Sequence, residues 1–196
     1  MTGYIEEGKS MGKAVIFDLD GTLLNTLDDL EDSVNHTLNY FKYPKRTKAE
    51  VRSFIGGGAK ALIKKSLPEN VTAEKYEEVL SYFQAYYKKN ADKKTGLYPG
   101  VKKLVNKLSD ENYSIGVVSA KGDIVVKELV ESFLGDKVNE TLGEKEDSEV
   151  DVEAAANAGI RCASVTWGFR DKEDLEKINP LYIADNVQEL YELIKG

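Results

Sequence analysis

Residues Ala14 to Phe17 form a short apolar run that stops at two carboxylates, Asp18 and Asp20. Its length and β-rich content predict a buried parallel strand. The period then changes. Leu27, Leu30, Val34, Leu38 and Phe41 recur at helical spacing and predict a helix over 27–41. Thr47 to Phe54 reads as a second helix, capped by Thr47 with Glu50 three residues on. Gly56, Gly57 and Gly58 break it. Ala59–Leu67 and Ala73–Lys89 are further predicted helices, the latter carrying Tyr76, Val79, Leu80, Phe83 and Tyr87 on its apolar positions. No strand is predicted between Leu23 and Leu97.

At Tyr98-Pro99-Gly100 the pattern turns to alternation. Strands are predicted over Ser114–Ser119, Val138–Leu142, Ala163–Trp167 and Tyr182–Ala184. Helices are predicted over Val101–Leu108, Ile124–Leu134, Val150–Ala158, Asp171–Lys177 and Val187–Ile194. Such alternation implies an α/β fold, a doubly wound parallel sheet of Rossmann-like form with right-handed crossovers. Residues 12–26 and 98–196 are expected to form this core, and residues 27–97 an inserted helical cap over its carboxyl edge. Residues 1–11 are mostly polar and are expected to be a leader or an appended remnant.

Length and charge narrow the picture. The 196 residues allow one large domain or two smaller ones. A net charge of −7 argues against a general nucleic-acid surface. The single cysteine, Cys162, excludes an internal disulfide and fits a reducing, cytoplasmic compartment. It lies in an apolar run and is expected in the core rather than as a nucleophile. No apolar stretch approaches membrane-spanning length. A monomer or a homodimer is expected.

Alternation along the first strand would send Asp18 and Asp20 to one side and Leu19 to the other. That strand end is where open α/β sheets place their ligands. Two nearby carboxylates repel unless a cation or a shared proton relieves them. The segment therefore suggests a hard-metal site, a nucleophile with an acid/base partner, or both; a cap or turn is the bland alternative. Ser119 ends the second core strand at the same edge, where a hydroxyl can bond a phosphate oxygen or cap a helix. Lys121 follows and can supply charge. Asp147 and Asp151 flank a turn entering a helix. Asp147 can give Mg²⁺ an oxygen ligand or complement the helix dipole. His36, the only histidine, is expected to be a surface or packing residue.

Val15–Thr22, VIFDLDGT, resembles the nucleophile motif of the haloacid dehalogenase-like superfamily, and specifically of its phosphatases. The resemblance implies that Asp18 attacks phosphorus and that Asp20 is the general acid/base. Ser119-Ala120-Lys121 is similar to the second motif, which implies that Ser119, with Thr22, positions phosphate oxygens. The stretch DSEVDVEAAANAG from Asp147 resembles the metal motif. It implies Mg²⁺ held by Asp18, the Asp20 backbone carbonyl and Asp147, with Asp151 holding a metal-bound water or a nearby lysine. Glu50–Leu67 and Thr166–Arg170 resemble phosphoglycolate phosphatases. In the first, the glycines, Gly57 among them, could let backbone N–H groups approach a small anion, and Arg52 and Lys60 could meet a carboxylate; a flexible turn with solvated charges is the alternative. In the second, Trp167 is expected in the core and Arg170 either exposed or near the site.

The implied activity is Mg²⁺-dependent hydrolysis of a small phosphorylated, phosphoglycolate-like metabolite through an aspartyl-phosphate. A phosphosugar mutase on the same scaffold and a catalytically impaired member are the alternatives. The second rests on a departure from the family pattern. The metal motif should follow a buried apolar strand, yet Gly143-Glu144-Lys145-Glu146 precedes Asp147. One core strand and one helix, about 25 residues by ordinary element lengths, are therefore expected to be missing before Asp147. With them go the third-motif lysine and the neighbour of the first strand, leaving backbone groups of Val15–Phe17 unpaired. A deletion, a rearranged fold, or residues left out of the sequence as written would each account for this. Lys145 is the nearest replacement by position, with Lys121 and Lys137 no better supported.

Overall fold

The computed structural model describes residues 13–144, 163–177 and 182–195. Strand β1 (Ala14–Asp18) leads through a tight loop to β2 (Leu24–Asn25). Four helices follow: α1 (Leu27–Tyr40), α2 (Lys48–Phe54), α3 (Gly58–Ser66) and α4 (Ala73–Lys88). The chain returns at β3 (Gly96–Leu97). Next come α5 (Val101–Asp110), β4 (Ser114–Gly122), α6 (Asp123–Leu134), a 3₁₀ turn and β5 (Glu140–Glu144). The last elements are β6 (Ala163–Val165), α7 (Lys172–Lys177), β7 (Tyr182–Ala184) and α8 (Val187–Lys195).

The local rules hold where the sequence is explicit. Thr47 and Glu50 form the expected capping box at the start of α2. On α5 the apolar positions Val101, Leu104, Val105 and Leu108 are all buried. In α4, Val79, Leu80, Phe83 and Tyr87 face inward. They pack in one continuous core with Val34 and Leu38 of α1, Val51 of α2 and Ile63 of α3. Burying each such side chain contributes about 1.5–3 kcal/mol.

The sheet is parallel, in the order β1-β4-β5, and β6 pairs in parallel with β7. Helix α6 makes the crossover from β4 to β5, as a parallel pair requires. The expected α/β core is thus present. The predicted helix over 150–158, with Asp147, Asp151, Lys145 and Cys162, lies outside the described residues. Strand β4 extends to Gly122, so Ser119 lies inside it rather than at its end, and Lys121 lies within it rather than beyond it. The pair β2–β3 was not expected. Two residues on each strand carry too little pattern to read, yet they zip together the two ends of the helical segment, Leu24 opposite Leu97 and Asn25 opposite Gly96.

Asp29 strengthens this junction. It is only 2% exposed, and its carboxylate accepts the backbone N–H groups of Lys94, at 2.9 and 3.0 Å, and Thr95, at 2.8 Å. A buried carboxylate is tolerated when N–H donors satisfy it. On the other flank, β1 pairs only with β4 among the described residues, and Ile16 on β1 is 59% exposed.

Candidate active site

The loop after β1 folds back on its own leucines. Leu19, Leu23 and Leu24 are at most 1% exposed and anchor it. The Leu19 carbonyl accepts the N–H groups of Leu23 at 3.1 Å and Leu24 at 3.0 Å, and Gly21 N–H donates to the Leu24 carbonyl at 2.9 Å. Gly21 has φ +79°, a left-handed conformation that side-chain-bearing residues rarely adopt. The buried leucines leave Asp18, Asp20 and Thr22 turned toward one another.

Asp18 accepts from Thr22 Oγ1 at 3.3 Å. The residue is exposed, but the atoms crowded round it keep water from part of its carboxyl. This desolvation, followed by the charge of Asp20, pushes it up from 3.8 to about 7. Asp20 is fully engaged. Lys121 Nζ lies 2.8 Å from its Oδ1, which also accepts from Thr26 Oγ1. Ser119 Oγ donates to its Oδ2 at 3.2 Å and accepts from Lys121 N–H at 3.2 Å. Strands β1 and β4 are adjacent, with Asp18 opposite Val118, so their carboxyl ends bring these groups together.

Lys121 is only 8% exposed. Burial alone would lower its ammonium, but Asp20, and after it Tyr87, outweigh that and hold it above the ordinary lysine range. The Tyr87 ring lies near it, its centroid 4.8 Å from Nζ. Burial pushes the Tyr87 phenol up to about 12.

Asp18, Asp20, Thr22, Ser119 and Lys121 are therefore brought into one cluster. Arg52 and Gly57 make no bond to these side chains among the described residues. Arg52 donates from Nε to the Phe169 carbonyl at 2.8 Å and from Nη2 to Asp171 at 2.8 Å. Its fork thus spans from α2 to the loop after β6. Gly57 caps α3, where a Cβ would lie 2.8 Å from that of Ala61. Helix packing alone accounts for a glycine there. Arg170 is exposed and approaches Gly56; the indole N–H of Trp167 donates to the Thr22 carbonyl at 3.1 Å. His36 is exposed and stacked on Tyr86, with ring centroids 3.8 Å apart.

Two members of the cluster escaped the sequence reading. Thr26 precedes α1, where a threonine reads as a cap, but it makes no capping bond and serves Asp20 instead. Tyr87 sits at an apolar helical position and reads as core.

The donor set suits a hard divalent cation. The Asp18 carboxylate, held up near 7 by desolvation and the charge of Asp20, is a group that a cation relieves, and the Asp20 backbone carbonyl two residues on is a second oxygen donor. Among the described residues no third acid, histidine or cysteine joins them. Asp147 lies outside those residues.

Residues 15–143 match the family model described as haloacid dehalogenase-like hydrolase, and residues 147–190 match a second, HAD-hydrolase-like model. The phosphoglycolate phosphatase of Vibrio parahaemolyticus serotype O3:K6 is 28% identical over 218 residues, covering 93% of this chain and 96% of the relative. That of Haemophilus influenzae strain 86-028NP is 29% identical over 219 residues, covering 93% and 98%. Both aligned stretches exceed the whole 196-residue chain, so each relative has residues with no counterpart here. Among solved structures, a proposed phosphoglycolate phosphatase from Lactobacillus delbrueckii subsp. bulgaricus superposes with TM-score 0.84 and 27% identity, covering 94% of this chain and 99% of its own. A haloacid dehalogenase-like family hydrolase from Streptococcus pneumoniae superposes at 0.80 with 20% identity, covering 92% and 97%, which speaks for the fold alone.

Proposed function

The chain belongs to the haloacid dehalogenase-like hydrolases, and from that premise we propose that it hydrolyses phosphate monoesters of small metabolites, phosphoglycolate among them. The observation that carries this is the pairing of Asp18 with a fully hydrogen-bonded Asp20 beside Ser119 and Lys121. The likeness to phosphoglycolate phosphatases supports the substrate class. The cytoplasm is its compartment, in keeping with one cysteine and with no described helix long and apolar enough to cross a membrane.

In this reading a carboxylate oxygen of Asp18 attacks phosphorus in line and the ester oxygen departs, leaving an aspartyl-phosphate. Asp20 rests as a carboxylate, so the proton that Asp18 holds must first pass to Asp20 Oδ2, which frees Asp18 to attack. Asp20 then gives that proton to the departing alkoxide. Later it takes one from the attacking water, whose oxygen bonds to phosphorus as the Asp18 carboxylate is released. Both Asp20 oxygens are occupied at rest, so one partner must leave before it can act. Ser119 is that partner. A phosphate oxygen accepting the Ser119 hydroxyl proton would free Asp20 Oδ2 for the ester oxygen. Thr22 orients Asp18 through its 3.3 Å bond. Asp18, the Asp20 carbonyl and Asp147 would hold Mg²⁺, which supplies charge neutralisation between nucleophile and phosphate when bound. The helices between β2 and β3 act as a cap that excludes water during transfer and opens for product release.

Hydrolysis of p-nitrophenyl phosphate and of phosphoglycolate by the parent and by Asp18→Asn, with and without Mg²⁺, tests the proposal. Mg²⁺-dependent turnover abolished by the substitution supports it. No turnover by the parent at saturating Mg²⁺ would favour an impaired member that binds without reacting.

A further inference from the structure

We propose that Tyr87 of α4 is a positioning residue whose ring holds the Lys121 ammonium on the Asp20 carboxylate. The effect on rate rests on the phosphatase reading above; the effect on Lys121 rests on the geometry alone.

The Lys121 ammonium carries three N–H donors, of which Asp20 takes one at 2.8 Å. The Tyr87 ring centroid is 4.8 Å from Nζ, inside the roughly 6 Å over which an aromatic face attracts a cation. That attraction grows where water is excluded, and both residues are buried, at 8% and 5% exposure. The ring is itself braced by stacking on Phe83, with centroids 5.6 Å apart and planes 4° from parallel. Among the described residues its hydroxyl makes no hydrogen bond of proper geometry. The hydroxyl lies close enough to bear on the charge of Lys121, but with no bond of proper geometry the ring is the part proposed to hold the ammonium.

A lysine stem is flexible and its charge is compact. Unrestrained, the ammonium would be shared among Asp20, Asp18 and a bound phosphate. Pairing with Asp18 or the phosphate would leave Asp20 without its counter-charge. With the ring in place the ammonium stays on Asp20, and its influence on Asp18 comes last among the groups that act there. The order Tyr87, Lys121, Asp20 also runs from α4 to the loop after β1, so the position of the helices bears directly on the acid/base carboxylate.

The test uses the full chain with Mg²⁺ and four variants: Tyr87→Leu, Tyr87→Phe, Lys121→Met and the Tyr87→Leu/Lys121→Met double. All are assayed well below their melting temperatures. Tyr87→Leu is expected to lower kcat on p-nitrophenyl phosphate about tenfold, the scale of a desolvated cation–π contact, with KM within about twofold. Tyr87→Phe restores the rate. In the Lys121→Met background, Tyr87→Leu changes kcat by less than about twofold, because its route to Asp20 is already gone. In parallel, acetylation by an N-hydroxysuccinimide ester is read by mass spectrometry at Lys121 against exposed Lys102. Tyr87→Leu should raise relative labelling of Lys121 several-fold, and Tyr87→Phe should not. Additive losses in the double variant, or unchanged labelling of Lys121, would overturn the proposal. A parent that hydrolyses nothing sinks the phosphatase reading instead, and the labelling then decides the contact by itself.

Discussion

Gly168 packs so closely on Gly21 that a Cβ at position 168 would lie 2.3 Å from the Gly21 carbonyl oxygen. The loop after β6 and the loop carrying Asp20 therefore meet backbone to backbone. Gly168→Ala must push them apart. We expect a loss of about 1–3 kcal/mol, seen as a melting temperature lower by several degrees, together with at least a tenfold fall in phosphatase kcat. Gly96→Ala, where nothing lies within 4 Å, is the control and should change the rate little. A Gly168→Ala variant with parental rate and stability would show that the contact does not shape the site.

Asp18 makes stability depend on pH in a stated direction. Unfolded, it loses its proton near the ordinary value of 3.8; folded, it keeps it to about 7. Between these values the folded state binds more protons, so its contribution falls as pH rises through the window. Asp18→Asn should therefore melt above the parent at pH 8, and the gap should close below about pH 4. Mg²⁺ should raise the parent's melting temperature more at pH 8 than at pH 5, and should barely move that of Asp18→Asn. Equal melting curves at pH 8 without Mg²⁺ would contradict this account.

Thr26 reaches Asp20 from the start of α1. Hydrogen bonds to charged groups contribute about 1.5–3 kcal/mol. Thr26→Val should lower kcat by about tenfold or more, and Thr26→Ser should recover most of it. Indifference to Thr26→Val would remove Thr26 from the site.

How far the sequence could be read depended on the range of each interaction. The apolar spacing of Leu30, Val34 and Leu38, and the Thr47/Glu50 box, are local, so α1 and α2 were legible almost to the residue. The apolar run before Asp18 and the strand carrying Ser119 were legible as strands for the same reason. The first is not the buried strand expected, since only Phe17 of it is buried. The β2–β3 pair was not, because two residues show no alternation and their partners lie some seventy positions away. Thr26 fits a local role, a cap, that tertiary structure overrode, and Tyr87 keeps its core role while also meeting Lys121. Arg52 finds its partners 117 and 119 positions along the chain, a pairing no local pattern can announce.

That placement of Arg52 gives a further expectation. If its fork only joins α2 to the loop after β6, Arg52→Ala should change kcat/KM for phosphoglycolate and for p-nitrophenyl phosphate by the same factor. Asp171→Ala, losing an exposed ion pair of about 0.2–1 kcal/mol, should do the same more weakly. A loss confined to phosphoglycolate would mean that Arg52 leaves Phe169 to meet the substrate's carboxylate.

The strand that ends in Asp18 is bonded along one flank only among the described residues. In a parallel strand, successive amides turn to opposite sides. Hydrogen exchange along Val15–Phe17 should therefore alternate, slow where the amide faces β4 and fast where it faces away. The nucleophile would then ride on one of the least protected strands of the core. Heat or denaturant would extinguish turnover while the helices above still give a full circular-dichroism signal.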